Sequence, residues 1–116
     1  IIAAHATGRA FIDVGNLPNR GQIANLPLGT VVETAVRVDS NGFAPLCFGD
    51  LPQPVLAFVE PYAHVFDTTL RAGLERDRSL ALQALRMDPL CSRLTGEQVA
   101  EMGGRLLAAH RAYVDL

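Results

Sequence analysis

The chain contains no lysine and no tryptophan, and all ten of the basic residues among its 116 are arginines. Without lysine it can supply no Schiff base, no amine general base and no phosphate-loop ammonium of its own. Cysteine is scarce too. Cys47 and Cys91 lie far apart without Cys-x-x-Cys spacing, so neither a zinc site nor a disulfide framework is expected, only two buried thiols. No apolar run approaches the roughly 18 residues of a membrane span, and the opening Ile-Ile-Ala-Ala has no basic flank. Neither a membrane segment nor a signal peptide is expected, and the location read from this is cytoplasmic. Charge of one sign is also missing: ten Lys+Arg against twelve Asp+Glu leave a formal net charge of -2, no footprint for nucleic acid or an anionic membrane.

What is present fits one domain of 116 residues, large enough for a hydrophobic core. The chain begins at Ile1 rather than methionine, and Ile1–His5 resembles the end of a helix stopped at Thr7-Gly8. The expectation is a carboxy-terminal piece of something longer. Phe11–Val14 is a short strand. Asn16–Pro27 then repeats Asn-Leu-Pro around Asn-Arg-Gly-Gln-Ile-Ala, and its prolines and glycines predict a shaped loop. Residues 30–38 alternate, with Val32, Thr34, Val36 and Val38 on one face, the period of a half-buried strand. Asp39-Ser40-Asn41-Gly42 is a turn, with positive φ expected at Gly42, and residues 43–48 return as a second strand. Pro45 cannot donate to a ladder, so this strand needs a free edge or a bulge.

After Gly49-Asp50-Leu51-Pro52, the residues Val55, Phe58, Val59, Tyr62, Phe66, Thr69, Leu70 and Leu74 recur at three- and four-residue steps. They predict an amphipathic helix with Pro54 in its first turn and a kink at Pro61. A shorter helix carries Leu80, Leu82, Ala84, Leu85 and Met87 up to Asp88-Pro89. Thr95-Gly96-Glu97-Gln98 is a capping box opening a last helix with a stripe of Val99, Met102, Leu106, Ala109, His110 and Tyr113. Strands precede helices, so the class is α+β.

The segment Asn16–Pro52 resembles the carboxy-terminal region of glycoside hydrolase family 4. The residues matching that family's pattern are Asn16, Pro18, Asn19, Gly21, Ile23, Asn25, Leu26, Pro27, Val31, Val32, Glu33, Asn41, Gly42, Pro45, Gly49, Leu51 and Pro52. Asp88-Pro89-Leu90, LTGEQVAEM and LLAAHRAYV are similar to the α-galactosidase and α-glucosidase branch rather than the 6-phospho-β-glucosidases. Thr34-Ala35 stands where the family pattern has Val-Pro, and Val59-Glu60-Pro61-Tyr62 replaces a more polar stretch.

The resemblance implies an α+β domain like the carboxy-terminal domain of lactate and malate dehydrogenases, following a Rossmann domain that binds NAD. It also implies a glycosidase in which NAD takes a hydride from sugar C3, a tyrosine removes the C2 proton, the aglycone leaves, and a divalent metal, usually manganese, polarises the C3 oxygen. Association into a homo-oligomer through this region is implied as well. This chain holds no Gly-x-Gly fingerprint and no Cys and downstream His at the positions of the family's metal ligands, so no catalytic, metal or cofactor-binding residue is assigned to it.

The residues assigned to the glycoside pocket are Asn16, Asn19 and Arg20, whose amide and guanidinium groups suit hydroxyl and carboxylate recognition. For Asn16, Asn19 and Asn25 the competing role is to hydrogen-bond the loop's own backbone, and for Arg20 it is a solvated charge. His5, His64 and His110 are scattered and expected to be structural or exposed. Asp67, Glu75 and Asp77 are expected to be solvated or paired with Arg71, Arg76 or Arg78. The rival functions are a non-enzymatic association or binding module derived from the family and, third, a dehydrogenase of the lactate and malate type, which the Asn-x-Pro-Asn loop argues against.

Overall fold

A computed structural model describes all 116 residues. Its order is α1 (Ile2–Thr7), β1 (Phe11–Pro18), β2 (Val31–Asp39), β3 (Gly42–Pro45), α2 (Gln53–Glu75), α3 (Arg78–Met87), a 3-10 turn at Pro89–Cys91, and α4 (Gly96–His110), an α+β arrangement. The chain divides into two compact units, Ile1–Leu56 and Ala57–Leu116.

In the first unit the three strands form one antiparallel sheet in the order β1-β2-β3. Val32, Thr34, Val36 and Val38 are all buried while Val31, Glu33 and Arg37 are exposed, so the alternation of β2 sets the covered face as the sequence predicts. Val36 and Val38 pack with Ala4 of α1 and with Leu17. Full burial of each valine contributes about 1.5–3 kcal/mol to this small core, of which Ala4 of α1 is one part. Gly8 ends α1 in the left-handed region at φ +74°, its N–H donating to the Ala4 carbonyl at 2.9 Å. His5 Nδ1 lies 3.3 Å from the Asp39 carbonyl oxygen, a structural role for that histidine.

The turn forms as expected, with Gly42 at φ +106° and Asp39 Oδ1 accepting from the Asn41 N–H at 2.8 Å. Two boundaries differ from expectation. β1 continues through Gly15 to Pro18, because as an edge strand it tolerates a proline whose missing N–H leaves no gap in the ladder. β3 stops at Pro45 instead of continuing to Phe48, and it too lies at an edge. Cys47 is exposed and Cys91 half-buried, which corrects the expectation of two buried thiols: Cys47 falls just past the truncated strand, outside any core.

In the second unit α3 begins at Asp77, whose Oδ1 accepts from Ser79 and Leu80 N–H groups at 2.7 and 3.2 Å. The Thr95–Gln98 capping box closes in both directions, at 3.3 Å to the Gln98 N–H and 2.9 Å from the Thr95 N–H. Val99 is buried as predicted, but Leu106, Ala109, His110 and Tyr113 of the same stripe are exposed. The residue that lets α3 and α4 approach is Gly103, where an added Cβ would collide with Leu82 Cδ2 and stand 2.9 Å from Leu85 Cδ1. Replacing Gly103 with Val is expected to destabilise the protein by about 1 kcal/mol, because the half-buried Leu82 and Leu85 tips must both rotate away from a branched side chain and give up part of their packing. Thermal unfolding should show a midpoint lower by several degrees, and an unchanged midpoint would mean the helices separate without cost.

Helix α2 is unbroken through Pro61. Its apolar stripe faces outward, as an association surface would: Val55, Phe58, Val59, Phe66, Leu70 and Leu74 are exposed, and Leu56, Ala63, Val65 and Ala72 are the buried positions. No helix is long and apolar enough to cross a membrane.

Candidate functional site

The loop joining β1 to β2 is built around two buried amides. Asn19 is 1% exposed. Its Oδ1 accepts from the Gly21 and Ile23 N–H groups at 3.1 and 3.2 Å, and its Nδ2 donates to the carbonyls of Ile23, Leu26 and Pro27 at 2.9, 3.0 and 3.3 Å. Its backbone completes the closure, donating to the Thr30 carbonyl at 2.7 Å and accepting from the Gly29 N–H at 2.9 Å. Gln22, also 1% exposed, donates from Nε2 to the Pro18 carbonyl at 2.9 Å, and its Oε1 accepts from the Arg20 N–H. A primary amide has two donors and two acceptor lone pairs, so Asn19 has none left over for a sugar hydroxyl. Of the two roles raised for it, clamping the loop is the one its surroundings support.

The second Asn-Leu-Pro does a different job. Asn25 makes a reciprocal pair with Leu51, its Nδ2 donating to the Leu51 carbonyl and its Oδ1 accepting from the Leu51 N–H, both at 2.9 Å. Ile23 bridges Gly49 in parallel, the Ala24 N–H donates to the Gly49 carbonyl at 2.9 Å, and the Phe48 N–H donates to the Gln22 carbonyl at 2.8 Å. Leu26, Val32 and Leu56 close a small core beneath, with Ile23 and Leu51 against it. The loop is thus tied to the Gly49–Pro52 segment as well as to itself. The sequence reading had Asn25 bonding its own loop. The real partner lies 26 positions away, beyond the reach of local pattern.

Two of the three pocket residues remain available. Asn16 sits on β1 opposite Glu33 and is exposed. It borders a cavity of about 240 Å³ together with Asp13, Gly15, Leu17, Val36 and Phe43. That is below the roughly 300–1,000 Å³ of a complete ligand pocket, so this cavity alone would enclose only part of a sugar site. Arg20 is exposed and forms no salt bridge, unlike Arg37 with Asp39, Arg71 with Glu75 and Arg76 with Asp115. A cavity of about 400 Å³ among the helices of the second unit is lined mainly by Val65, Ala72, Leu82, Leu85 and Leu106, which offer a sugar few hydrogen bonds.

No three of the His, Cys, Asp and Glu side chains come together as a metal site. The Arg71 guanidinium is held above its ordinary pKa first by its hydrogen bond to Glu75 and then by that carboxylate's charge. The pair is an exposed (i, i+4) contact on α2 with no substrate-facing geometry. Asp77 caps α3 and Arg76 pairs with Asp115, so the charged end of α2 is accounted for without chemistry.

The sequence model described as the family 4 glycosyl hydrolase C-terminal domain matches residues 1–91. An alpha-galacturonidase of Thermoanaerobacterium saccharolyticum is 35% identical over 100 residues, covering 86% of this chain and 21% of its own length. An alpha-galactosidase of Bacillus subtilis is 32% identical over 111 residues, covering 95% of this chain and 26% of its own. Among solved structures, the 6-phospho-beta-glucosidase of Thermotoga maritima with NAD and glucose-6-phosphate superposes with a TM-score of 0.87 at 31% identity, over 99% of this chain and 28% of that one. The chain thus spans about a fifth to a quarter of the length of such relatives.

Proposed function

Because this chain belongs to glycosyl hydrolase family 4, in its C-terminal domain, we propose that it forms the substrate-pocket and association part of a longer NAD- and manganese-dependent enzyme that hydrolyses α-linked glycosides. The observation that carries this reading is the loop from Pro18 to Thr30. It is held by two buried amides and a 26-position tie, and it presents Asn16 and Arg20 at its margin. Such a loop suits sugar recognition because its polar groups are positioned before the ligand arrives.

No three of the His, Cys, Asp and Glu side chains cluster and the sequence holds no glycine-rich fingerprint, so the residues present do not by themselves fit a metal or a dinucleotide and neither is assigned to them. In the family mechanism those groups supply hydride transfer and polarisation of the sugar oxygen. The role left for this chain is binding: Asn16 offers an amide to sugar hydroxyls from strand β1, and Arg20 offers a cation from a backbone held by Gln22. Two of the substrate classes named for the relatives, galacturonides and 6-phosphoglucosides, carry an acidic group on C6.

The exposed stripe of α2 is the association surface in this reading. Phe58, Phe66, Leu70 and Leu74 are 77%, 65%, 61% and 75% exposed, and apolar patches of that kind are uncommon on a monomer. A second copy of the chain is the occupant we assign to it, in a closed symmetric assembly.

The test of the enzymatic reading is hydrolysis of nitrophenyl α-galactoside and α-galacturonide by the full-length protein. Turnover that needs both NAD and manganese, with none from residues 1–116 alone, is the expected result. Turnover by the isolated chain, or none by the longer protein with both cofactors, would overturn it.

A further inference from the structure

We infer that the helical unit holds a closable binding site for a small, neutral, apolar molecule, with residues 111–116 as its lid and the Arg76–Asp115 ion pair as the latch. The site belongs wholly to the second compact unit, whereas the Asn-Leu-Pro loop belongs to the first, so this role stands apart from sugar binding.

The cavity among α2, α3 and α4 measures about 400 Å³, within the roughly 300–1,000 Å³ of small-molecule sites. Val65, Leu82, Leu85 and Leu106 make its walls aliphatic, and the polar groups among them are engaged elsewhere. Thr69 donates its hydroxyl to the Val65 carbonyl at 2.8 Å, and Asp88 Oδ1 accepts from the Leu90 N–H at 2.8 Å. Apolar cavities take apolar guests, because water inside them lacks hydrogen-bond partners. Asp88 is the sole charged side chain of the wall, and its carboxylate disfavours an anionic head group. The chemistry that fits is a neutral hydrocarbon or a short alcohol, not a fatty acid.

Two further wall residues, Val114 and Leu116, come from the segment that follows α4. The chain turns there, the Tyr113 and Val114 N–H groups donating to the His110 carbonyl at 2.8 and 3.0 Å, and residues 114–116 have no regular structure. Asp115, between the two apolar side chains, meets Arg76 at 2.9 Å in an exposed pair. Arg76 is the chain's one non-glycine residue at positive φ, +53°, directly after α2. Glycine is the ordinary occupant of such a left-handed helix end, and a residue with a Cβ is strained in it. What the arginine adds there is a side chain that reaches a residue 39 positions away, in the lid. An exposed ion pair is weak, so it biases the lid toward closure without locking it.

Titration of the full-length protein with n-hexanol and with hexanoate, followed by the NMR signals of the Leu82 and Leu85 methyls, tests both parts. Hexanol should saturate one site and bind at least about tenfold more tightly than hexanoate, whose charge would be buried unpaired. Gly73 lines the cavity and an added Cβ there meets nothing within 4 Å, so Gly73→Leu fills space from within a helix without a clash. It should abolish hexanol binding while the thermal midpoint stays equal or rises. Arg76→Gly should also keep or raise the midpoint, because glycine adopts positive φ freely, yet it should speed hexanol dissociation about two- to fivefold. Asp115→Asn should change the rate alike, and the double variant should exceed neither. Failure of hexanol to saturate, or binding that survives Gly73→Leu, overturns the site. Dissociation rates left unchanged by Arg76→Gly and Asp115→Asn overturn the lid.

Discussion

Asn19→Ala is expected to lower the stability of the protein by about 3–5 kcal/mol, since one truncation orphans several buried donors and acceptors at roughly 1–3 kcal/mol each. The groups left behind are the N–H of Gly21 and Ile23 and the carbonyls of Ile23, Leu26 and Pro27. Water entering the space would recover part of the loss, which is why the figure is below the sum. Asn19→Asp is the informative companion. It keeps the acceptor side but turns a carboxylate toward three carbonyl oxygens, so it should be at least as destabilising as alanine. Denaturant unfolding monitored by circular dichroism measures both. If instead Asn19→Ala unfolds at the wild-type midpoint while sugar binding collapses, the amide contacts the ligand and the loop is held by other means.

The second large effect is on association. The double substitution Phe66→Glu with Leu70→Glu should convert a dimeric or larger full-length protein to a monomer at micromolar concentration, a loss of at least about 100-fold in dimer affinity, or roughly 2.7 kcal/mol. Both side chains are mostly exposed within one chain, at 65% and 61%, so the substitutions remove little packing from the monomer. Two facing carboxylates would have to be desolvated in the dimer, which is costlier than losing the apolar contact alone. Light scattering over a dilution series gives the mass, and far-ultraviolet circular dichroism checks that α2 persists. A wild-type protein that is monomeric throughout, or a variant whose mass does not change, would show that the stripe is not the contact.

Much of this molecule was legible locally. The covered face of β2 followed from alternation at Val32, Thr34, Val36 and Val38, the turn from Asn41-Gly42, and the start of α4 from Thr95 and Gln98, because each depends on residues close together along the chain. The family resemblance was legible for the same reason: turn glycines, prolines and asparagines at fixed offsets form a pattern a single sequence displays. The pattern marked the Asn-Leu-Pro loop as special without saying what each asparagine does.

What only the tertiary structure decided were the partners and the directions. Whether Asn19 faces a sugar or its own loop depends on where the chain between Gly21 and Pro27 folds back, and Asn25 finds Leu51 only after the sheet has brought distant segments together. The stripe on α2 has the same periodicity whether it is buried or exposed, so local pattern shows that one face is apolar while neighbouring elements decide what covers it. Gly103 shows the limit most plainly: a glycine inside a helix carries no local signal in its favour, and its purpose is visible only in the two leucines that approach where a side chain would have been.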